Sequence, residues 1–230
     1  MSIRPVKRII ESKPTFEGAG VKLRRAFGFG DTRDFDPQGR MHGFQLWANL
    51  PSSLKMTAPR YQDIKAAEIP EIVDDDGTSV RVICGDFWGR RGPVEGVAAD
   101  PRYLDVFVPP DRRKTLPAET ERHAFAYVFE GSGTFSSASQ PFGALIERVG
   151  DRGGTPIRER AGNRSLVLFD NGDEVTVQPG EEGIRFLLVS GKPIEEPVAW
   201  YGPIVMNTDA EIEQGYAALR NGTFIMQRHQ

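Results

Sequence analysis

Short segments with a two-residue period, each stopped by proline or glycine, constrain this chain more than any other feature of its sequence. Tyr103–Val108 has this period and ends at Pro109-Pro110, which lack the amide hydrogens that a β-ladder needs. Ser79–Cys84 shows the same alternation. The 25 glycines and 17 prolines supply the turns that many short strands require. The pattern predicts an all-β fold, closed as a barrel or packed as a sandwich.

Six further segments are predicted to be strands: Val21–Phe27, Gly43–Leu50, Ala124–Phe129, Ser165–Phe169, Glu174–Val177 and Ile184–Val189. Turn signals separate several of them, at Gly131–Gly133, Asn171–Asp173 and Pro179-Gly180. The acidic segment Asp74–Gly77 is interpreted as a solvated turn, because it lacks the further ligands of a calcium loop.

One helix is predicted near the end of the chain. Thr208 and Glu211 match a capping box, in which each side chain accepts a hydrogen bond from an otherwise unpaired amide. Asn221-Gly222 ends the helix. Its apolar stripe consists of Ile212, Tyr216 and Leu219. We expect the stripe to pack on a barrel; a partner-binding helix is the alternative.

Charge and cysteine content exclude several classes of function. The formal net charge of −3 argues against a broad electrostatic contact with nucleic acid. Cys84 is the only cysteine, which excludes an intrachain disulfide and a thiolate metal cluster. We expect Cys84 to be a small core residue. With no apolar signal segment and no membrane-spanning run, the sequence favours a cytoplasmic protein without membrane contact.

Three strings in the sequence closely resemble the pirin family. They are Gly43–Pro51 (GFQLWANLP), Pro59–Ile64 (PRYQDI) and Gly202–Thr208 (GPIVMNT). The resemblance implies a bicupin, with two double-stranded β-helix barrels and a metal ion, iron or another divalent transition metal, in the first. It also implies quercetin dioxygenase activity and, in some members, transcriptional coregulation through protein contacts. It places an N-terminal domain at 1–100 and a C-terminal cupin domain with the terminal helix at 101–230.

The histidines of this chain do not match the metal site that the resemblance implies. Pirins hold the ion with a His-x-His pair and a His-x-Glu pair. Here the histidines are His42, His123 and His229, and no His-x-His occurs. Asp31–Asp36 runs directly into Pro37–His42, where pirins have the long ligand-bearing segment. We therefore predict a first barrel that is reduced and lacks the metal site.

The second barrel offers no replacement. By the resemblance, the positions of its two histidines and its glutamate are taken by Ala118, Thr120 and Ala124. We therefore assign no catalytic, cofactor-binding or metal residue, and no cofactor, to this chain. Five aromatic residues would either bound a pocket in the second barrel or fill it: Phe125, Tyr127, Phe129, Phe169 and Phe186.

Losing strands from a barrel leaves backbone groups without partners. Each buried orphan costs about 1–3 kcal/mol, so the open edges must be covered. We expect a homodimer formed through the reduced N-terminal domain. Alternatively, the N-terminal strands pack on the second barrel or stay mobile. A protein partner is a further possibility. The sequence favours a non-catalytic binding or regulatory protein. The alternative, implied by the resemblance, is a metal-dependent quercetin 2,3-dioxygenase-type oxidoreductase.

Overall fold

The computed structural model describes residues 6–11, 44, 46, 48–98, 100–136, 146–148 and 160–224. Strands dominate, as predicted. They are β1 (Val6–Glu11), β2 (Glu71–Val73), β3 (Ser79–Cys84), β4 (Asp86–Phe87), β5 (Arg90–Arg91), β6 (Arg102–Val108), β7 (Lys114–Pro117), β8 (His123–Ser136), β9 (Ile146–Arg148), β10 (Ala161–Gly162), β11 (Ser165–Phe169), β12 (Glu174–Gly191), β13 (Ala199–Tyr201) and β14 (Ile204–Met206). The helix α1 spans Asp209–Arg220, and short 3-10 turns lie at Ser52–Leu54 and Ala66–Glu68. Within the described ranges, no helix has the length and hydropathy needed to cross a membrane.

The chain consists of two compact units that are interleaved in sequence. Unit 1 comprises residues 1–22, 67–95 and 100–192. Unit 2 comprises residues 23–66, 96–99 and 193–230, so α1 and the β13–β14 hairpin group with the N-terminal half. The division at residue 100, which follows the order of the family's domains, remains a prediction.

Unit 1 is built on one ten-stranded sheet. Its strand order is β2-β3-β6-β12-β8-β11-β1-β9, with β10 paired to β8 and β7 paired to β12. All of these pairs are antiparallel except β1 with β9. The alternation in β6 has the predicted effect: Leu104, Val106 and Val108 are buried on one face. The all-β prediction is confirmed.

Two predicted turns lie inside long strands. Gly131–Gly133 falls within β8 and Pro179-Gly180 within β12, and Gly133 lies opposite Pro179 in the pairing of these strands. The register shifts between Pro179 and Ile184, which absorbs the extra residues as a bulge. Gly131 has a φ of +65°, and a side chain there would overlap the carbonyl oxygen of Gly183. The glycines therefore bend a paired ribbon instead of ending its strands.

Two other predicted strands have a different outcome. Val21–Phe27 lies outside the described residues. Of Gly43–Leu50, the described positions 44, 46 and 48–50 belong to no strand. The prediction for these positions is wrong, because an aromatic-rich sequence does not by itself supply a paired backbone.

Helix α1 begins as predicted. Thr208 Oγ1 accepts from the Glu211 amide, and the Glu211 carboxylate accepts from the Thr208 amide at 2.8 Å. The predicted stripe is only partly correct: Ile212 is buried against Ile204 and Met206 of the hairpin, whereas Leu219 is exposed. The buried residues of α1 are Ile212 and Gly215, and Tyr216 packs against the same cluster, whereas Leu219 lies in the last turn of the helix. In unit 2, α1 packs on the β13–β14 hairpin.

Candidate functional site

The three positions that correspond to the cupin metal ligands of the second barrel carry no metal-binding side chain in unit 1. Ala124 is buried in the core, and Ala118 packs against that core from its margin. Thr120 is exposed. A transition metal needs imidazole, thiolate or carboxylate ligands that converge on one point, and these three positions supply none.

Aromatic rings complete the packing of this interior. Phe135 meets Phe169 and Phe186 edge to face, with ring centroids 5.6 and 5.3 Å apart. Of the five predicted pocket residues, Phe169 and Phe186 are therefore core residues. The other three are half-buried and alternate with core residues along β8: Phe125, Tyr127 and Phe129. The described interior matches the filled-barrel alternative.

The histidines are not gathered into a ligand set where the structure describes them. His123 is exposed at the start of β8, while His42 and His229 lie outside the described residues. No group of three or more His, Cys, Asp or Glu side chains in the described ranges could hold a metal ion. The described residues therefore do not supply the iron-type centre that the resemblance implies.

The acidic turn after β2 holds a cation supplied by the chain itself. Lys114 Nζ donates to the carboxylates of Asp74 and Asp76, at 2.8 Å for Asp76, and lies 5.1 Å from the centre of the Trp88 ring. Burial opposes the charge of Asp76, yet hydrogen bonds from Lys114 and Thr78 lower its pKa to about 2. Burial likewise opposes the charge of Lys114, but its two carboxylate partners raise its pKa. The turn is thus ion-paired as well as solvated.

A buried ion pair joins β6 to β12. Asp105 is 4% exposed, and its two carboxylate oxygens accept from Arg185 Nε at 2.9 Å and from Nη2 at 2.6 Å. This bidentate hydrogen bond raises the pKa of Arg185. Burial and the nearby Asp105 raise the pKa of Tyr103 to about 12. Sequence reasoning missed the pair, although the alternation of β6 places Asp105 diagonally across from Arg185, which pairs with Phe107.

Cys84 has the predicted core position. It is 6% exposed, and its Sγ donates to the Val94 carbonyl oxygen at 3.2 Å. Burial raises the pKa of the thiol, which keeps it protonated and a poor nucleophile.

In unit 2, one carboxylate joins the residue that follows the first string to the third string. Glu196 accepts from the Ser52 amide at 2.7 Å, from Ser52 Oγ at 3.2 Å and from Asn207 Nδ2 at 2.8 Å. The amide of Ser52 is the main reason that the pKa of Glu196 is lowered. Ser52 immediately follows the first string and Asn207 belongs to the third, so Glu196 connects the chain next to the first string with the third string. Nothing in the sequence around Glu196 indicates that it connects them.

Comparison with known proteins identifies the family. The sequence family described as "Pirin C-terminal cupin domain" matches residues 103–225. A pirin-like protein of Caulobacter vibrioides is 29% identical over 298 residues, covering 97% of this chain and 100% of the relative. A pirin-like protein of Solanum lycopersicum is 36% identical over 179 residues, which are 77% of this chain and 55% of the relative.

A solved structure shows the same fold. The quercetin 2,3-dioxygenase of Acinetobacter baumannii matches with a TM-score of 0.64 at 29% identity, over 78% of this chain and 56% of that chain. The chain thus spans just over half the length of this structure and of the Solanum relative. These matches confirm the predicted cupin-type β fold, and the chain belongs to the pirin family.

Proposed function

We propose that this chain is a non-catalytic member of the pirin family that acts as a binding or regulatory protein through contacts with other proteins. The proposal depends on the small number of histidines that could serve as metal ligands. Three histidines without a His-x-His pair cannot reproduce a site built from His-x-His and His-x-Glu. Cleavage of a flavonol ring by dioxygen needs a metal centre that binds both substrates.

Two further observations support the proposal. The alignment with the Caulobacter relative extends over 298 residues, so at least 68 of its positions lie opposite gaps in this chain of 230. Unmatched positions of this total number are compatible with a reduced first barrel. In addition, Phe135, Phe169 and Phe186 fill the interior of the described barrel. These rings are packed core side chains and do not line an open pocket among the described residues.

The direct test measures metal content and turnover on the same sample. The protein would be purified without chelators and incubated separately with iron, nickel, copper and manganese. Bound metal would then be counted per chain, and loss of quercetin absorbance would be followed under oxygen. The Acinetobacter quercetin 2,3-dioxygenase, handled identically, is the positive control. We expect metal far below one ion per chain and no turnover above that of the free salts.

The alternative is a metal-dependent quercetin 2,3-dioxygenase, favoured by the name of the matched Acinetobacter structure. This activity would have to use the three histidines in an arrangement unlike that of the family. Stoichiometric metal with turnover that His42→Ala, His123→Ala or His229→Ala abolishes would establish it and refute the non-catalytic role. A cytoplasmic location goes with either function and is supported by the single cysteine.

A further inference from the structure

The turn between β2 and β3 holds two carboxylates in fixed positions. Its backbone is closed by the Asp74 amide, which donates to the Thr78 carbonyl oxygen at 2.9 Å. Oδ1 of Asp74 accepts from the Asp75 amide at 2.8 Å, and Oδ1 of Asp76 accepts from the Thr78 amide at 2.9 Å. Because the donors are backbone amides of the turn itself, both carboxylates are oriented without help from another element.

The second oxygen of each carboxylate binds the same ammonium group. Lys114 Nζ donates to Oδ2 of Asp74 and to Oδ2 of Asp76, at 2.8 Å for Asp76. Lys114 lies on β7, 38 residues from Asp76 along the chain, and is 8% exposed. A charged group with so little access to water is stable only where acceptors replace its hydration. The turn supplies two such acceptors.

An indole ring adds a third contact to this ammonium group. The centre of the Trp88 ring lies 5.1 Å from Lys114 Nζ. Trp88 has a φ of +44°, a left-handed conformation that is strained for a bulky residue. Such strain persists where the surrounding contacts impose it. The Trp88 ring packs on the core of unit 1 and lies 4.7 Å from the ring of Phe87, which is 3% exposed.

This combination of groups is selective for an organic ammonium ion. Carboxylate oxygens accept its N–H groups, and the face of an indole attracts its positive charge. A calcium ion takes six to eight oxygen ligands instead. Two carboxylate oxygens and an aromatic ring therefore suit an amine better than a metal ion.

We propose that Asp74, Asp76 and Trp88 form a preformed receptor for a primary alkylammonium group, and that Lys114 is an internal ligand that keeps this receptor closed. The internal ligand has the advantage of being tethered, since attachment to the same chain gives it a high effective concentration. An amine from outside reaches the receptor only when Lys114 leaves it. The proposal is independent of the binding or regulatory role proposed above.

The test removes the internal ligand and supplies it again from solution. Lys114→Ala deletes three methylene groups and the ammonium, a fragment that n-propylammonium replaces. At about ten times its dissociation constant, n-propylammonium chloride should raise the melting temperature of this variant by about 3–5 °C. Sodium chloride at equal ionic strength and calcium chloride should have little effect. The wild type and Lys114→Met should not respond to the amine, because a side chain already fills its place.

Two double variants separate contact with the ammonium from the charge of the turn. Asp75 lies between the two carboxylates in sequence and is exposed. Lys114→Ala with Asp75→Asn should keep its response to n-propylammonium. Lys114→Ala with Asp76→Asn should lose most of it. Both pairs remove one negative charge from the same turn, so the difference between them isolates the hydrogen bond from the ammonium.

A second measurement does not require Lys114→Ala to fold. The wild type, Asp75→Asn and Asp76→Asn are treated with acetic anhydride at neutral pH, and acetylation of Lys114 is followed by mass spectrometry relative to Lys192, whose side chain is 65% exposed. Asp76→Asn should speed acetylation of Lys114 about tenfold, since a fall of one unit in its pKa gives about ten times more neutral amine. Asp75→Asn should leave the rate unchanged.

Three results would overturn the proposal. The first is a melting temperature of folded Lys114→Ala that n-propylammonium does not raise. The second is an equal rise in sodium or calcium chloride, which would make the turn a general cation site. The third is an equal effect of Asp75→Asn and Asp76→Asn on the response to the amine or on the acetylation of Lys114.

Discussion

The buried pair of Asp105 and Arg185 gives the sharpest test of how unit 1 is stabilised. Arg185→Met keeps most of the volume of the side chain but removes the guanidinium. The carboxylate of Asp105 then stays in a site where the residue is 4% exposed, without the two hydrogen bonds at 2.9 and 2.6 Å that it now accepts. An unpaired buried charge is far more costly than a buried pair.

Substitution of Arg185 should lower the free energy of unfolding more than substitution of Asp105 does. Breaking a buried pair costs about 3–5 kcal/mol, and we expect about 3 kcal/mol for Arg185→Met because the arginine side chain is 34% exposed. Asp105→Leu instead leaves the Arg185 guanidinium without its main carboxylate partner. That cation reaches water and lies 3.9 Å from the carboxylate of Glu130, so we expect about 1–2 kcal/mol. The double variant should lose less free energy of unfolding than the two single losses combined, by about 2 kcal/mol.

Urea unfolding followed by circular dichroism measures these differences. The matched control is Arg91→Met, which removes two ion pairs of exposed side chains, with Asp86 at 3.1 Å and with Glu95 at 3.2 Å. It should cost at most about 1 kcal/mol. If Arg185→Met were no more harmful than Arg91→Met, or if the two single effects simply added, burial would not be the cause that we assign.

Three further predictions concern other parts of the fold. Lys114→Met should flatten the acid unfolding profile: the pKa of Asp76 is lowered from 3.8 to about 2, so its stabilisation is complete above about pH 4 and is lost as pH falls toward 2. An equally steep profile for Lys114→Met would contradict this. Thr208→Ala should lower the free energy of unfolding of the unit that contains α1 by about 1 kcal/mol, through loss of the capping box; no change in helical ellipticity or in urea midpoint would count against it. Gly131→Ala should cost more than Gly222→Ala, because both have positive φ but only the former places its methyl group against a backbone oxygen. Equal urea midpoints would refute that distinction.

Local sequence patterns predicted the short strands well, where the strand contains no bend. Ser79–Cys84 and Ser165–Phe169 have the predicted bounds, because alternation and flanking turns are both visible in the sequence. The prediction failed at Gly131–Gly133 and Pro179-Gly180, where turn residues lie opposite each other in two paired strands. Glycine and proline in a sequence indicate that the backbone bends. They do not indicate that the bend is paired with a second bend in a neighbouring strand, as Gly133 is with Pro179.

The polar contacts of unit 1 were harder to predict for a similar reason. Asp105 and Arg185 are 80 residues apart, and Lys114 and Asp76 are 38 apart. Each of these residues looks like an ordinary surface charge in its own segment. Only the strand register brings them together, and register is set by the whole sheet. The scarcity of histidine could be read directly, since it is a property of composition and spacing.

The contact of Lys114 with the acidic turn has a consequence for the ionic surroundings of the protein. The turn has its counter-ion in a lysine side chain of the same chain, so it does not depend on dissolved calcium or magnesium. Its rigidity should be the same in a chelating buffer as in millimolar divalent salt. Changes in the concentration of these ions should therefore leave the structure of the turn unchanged.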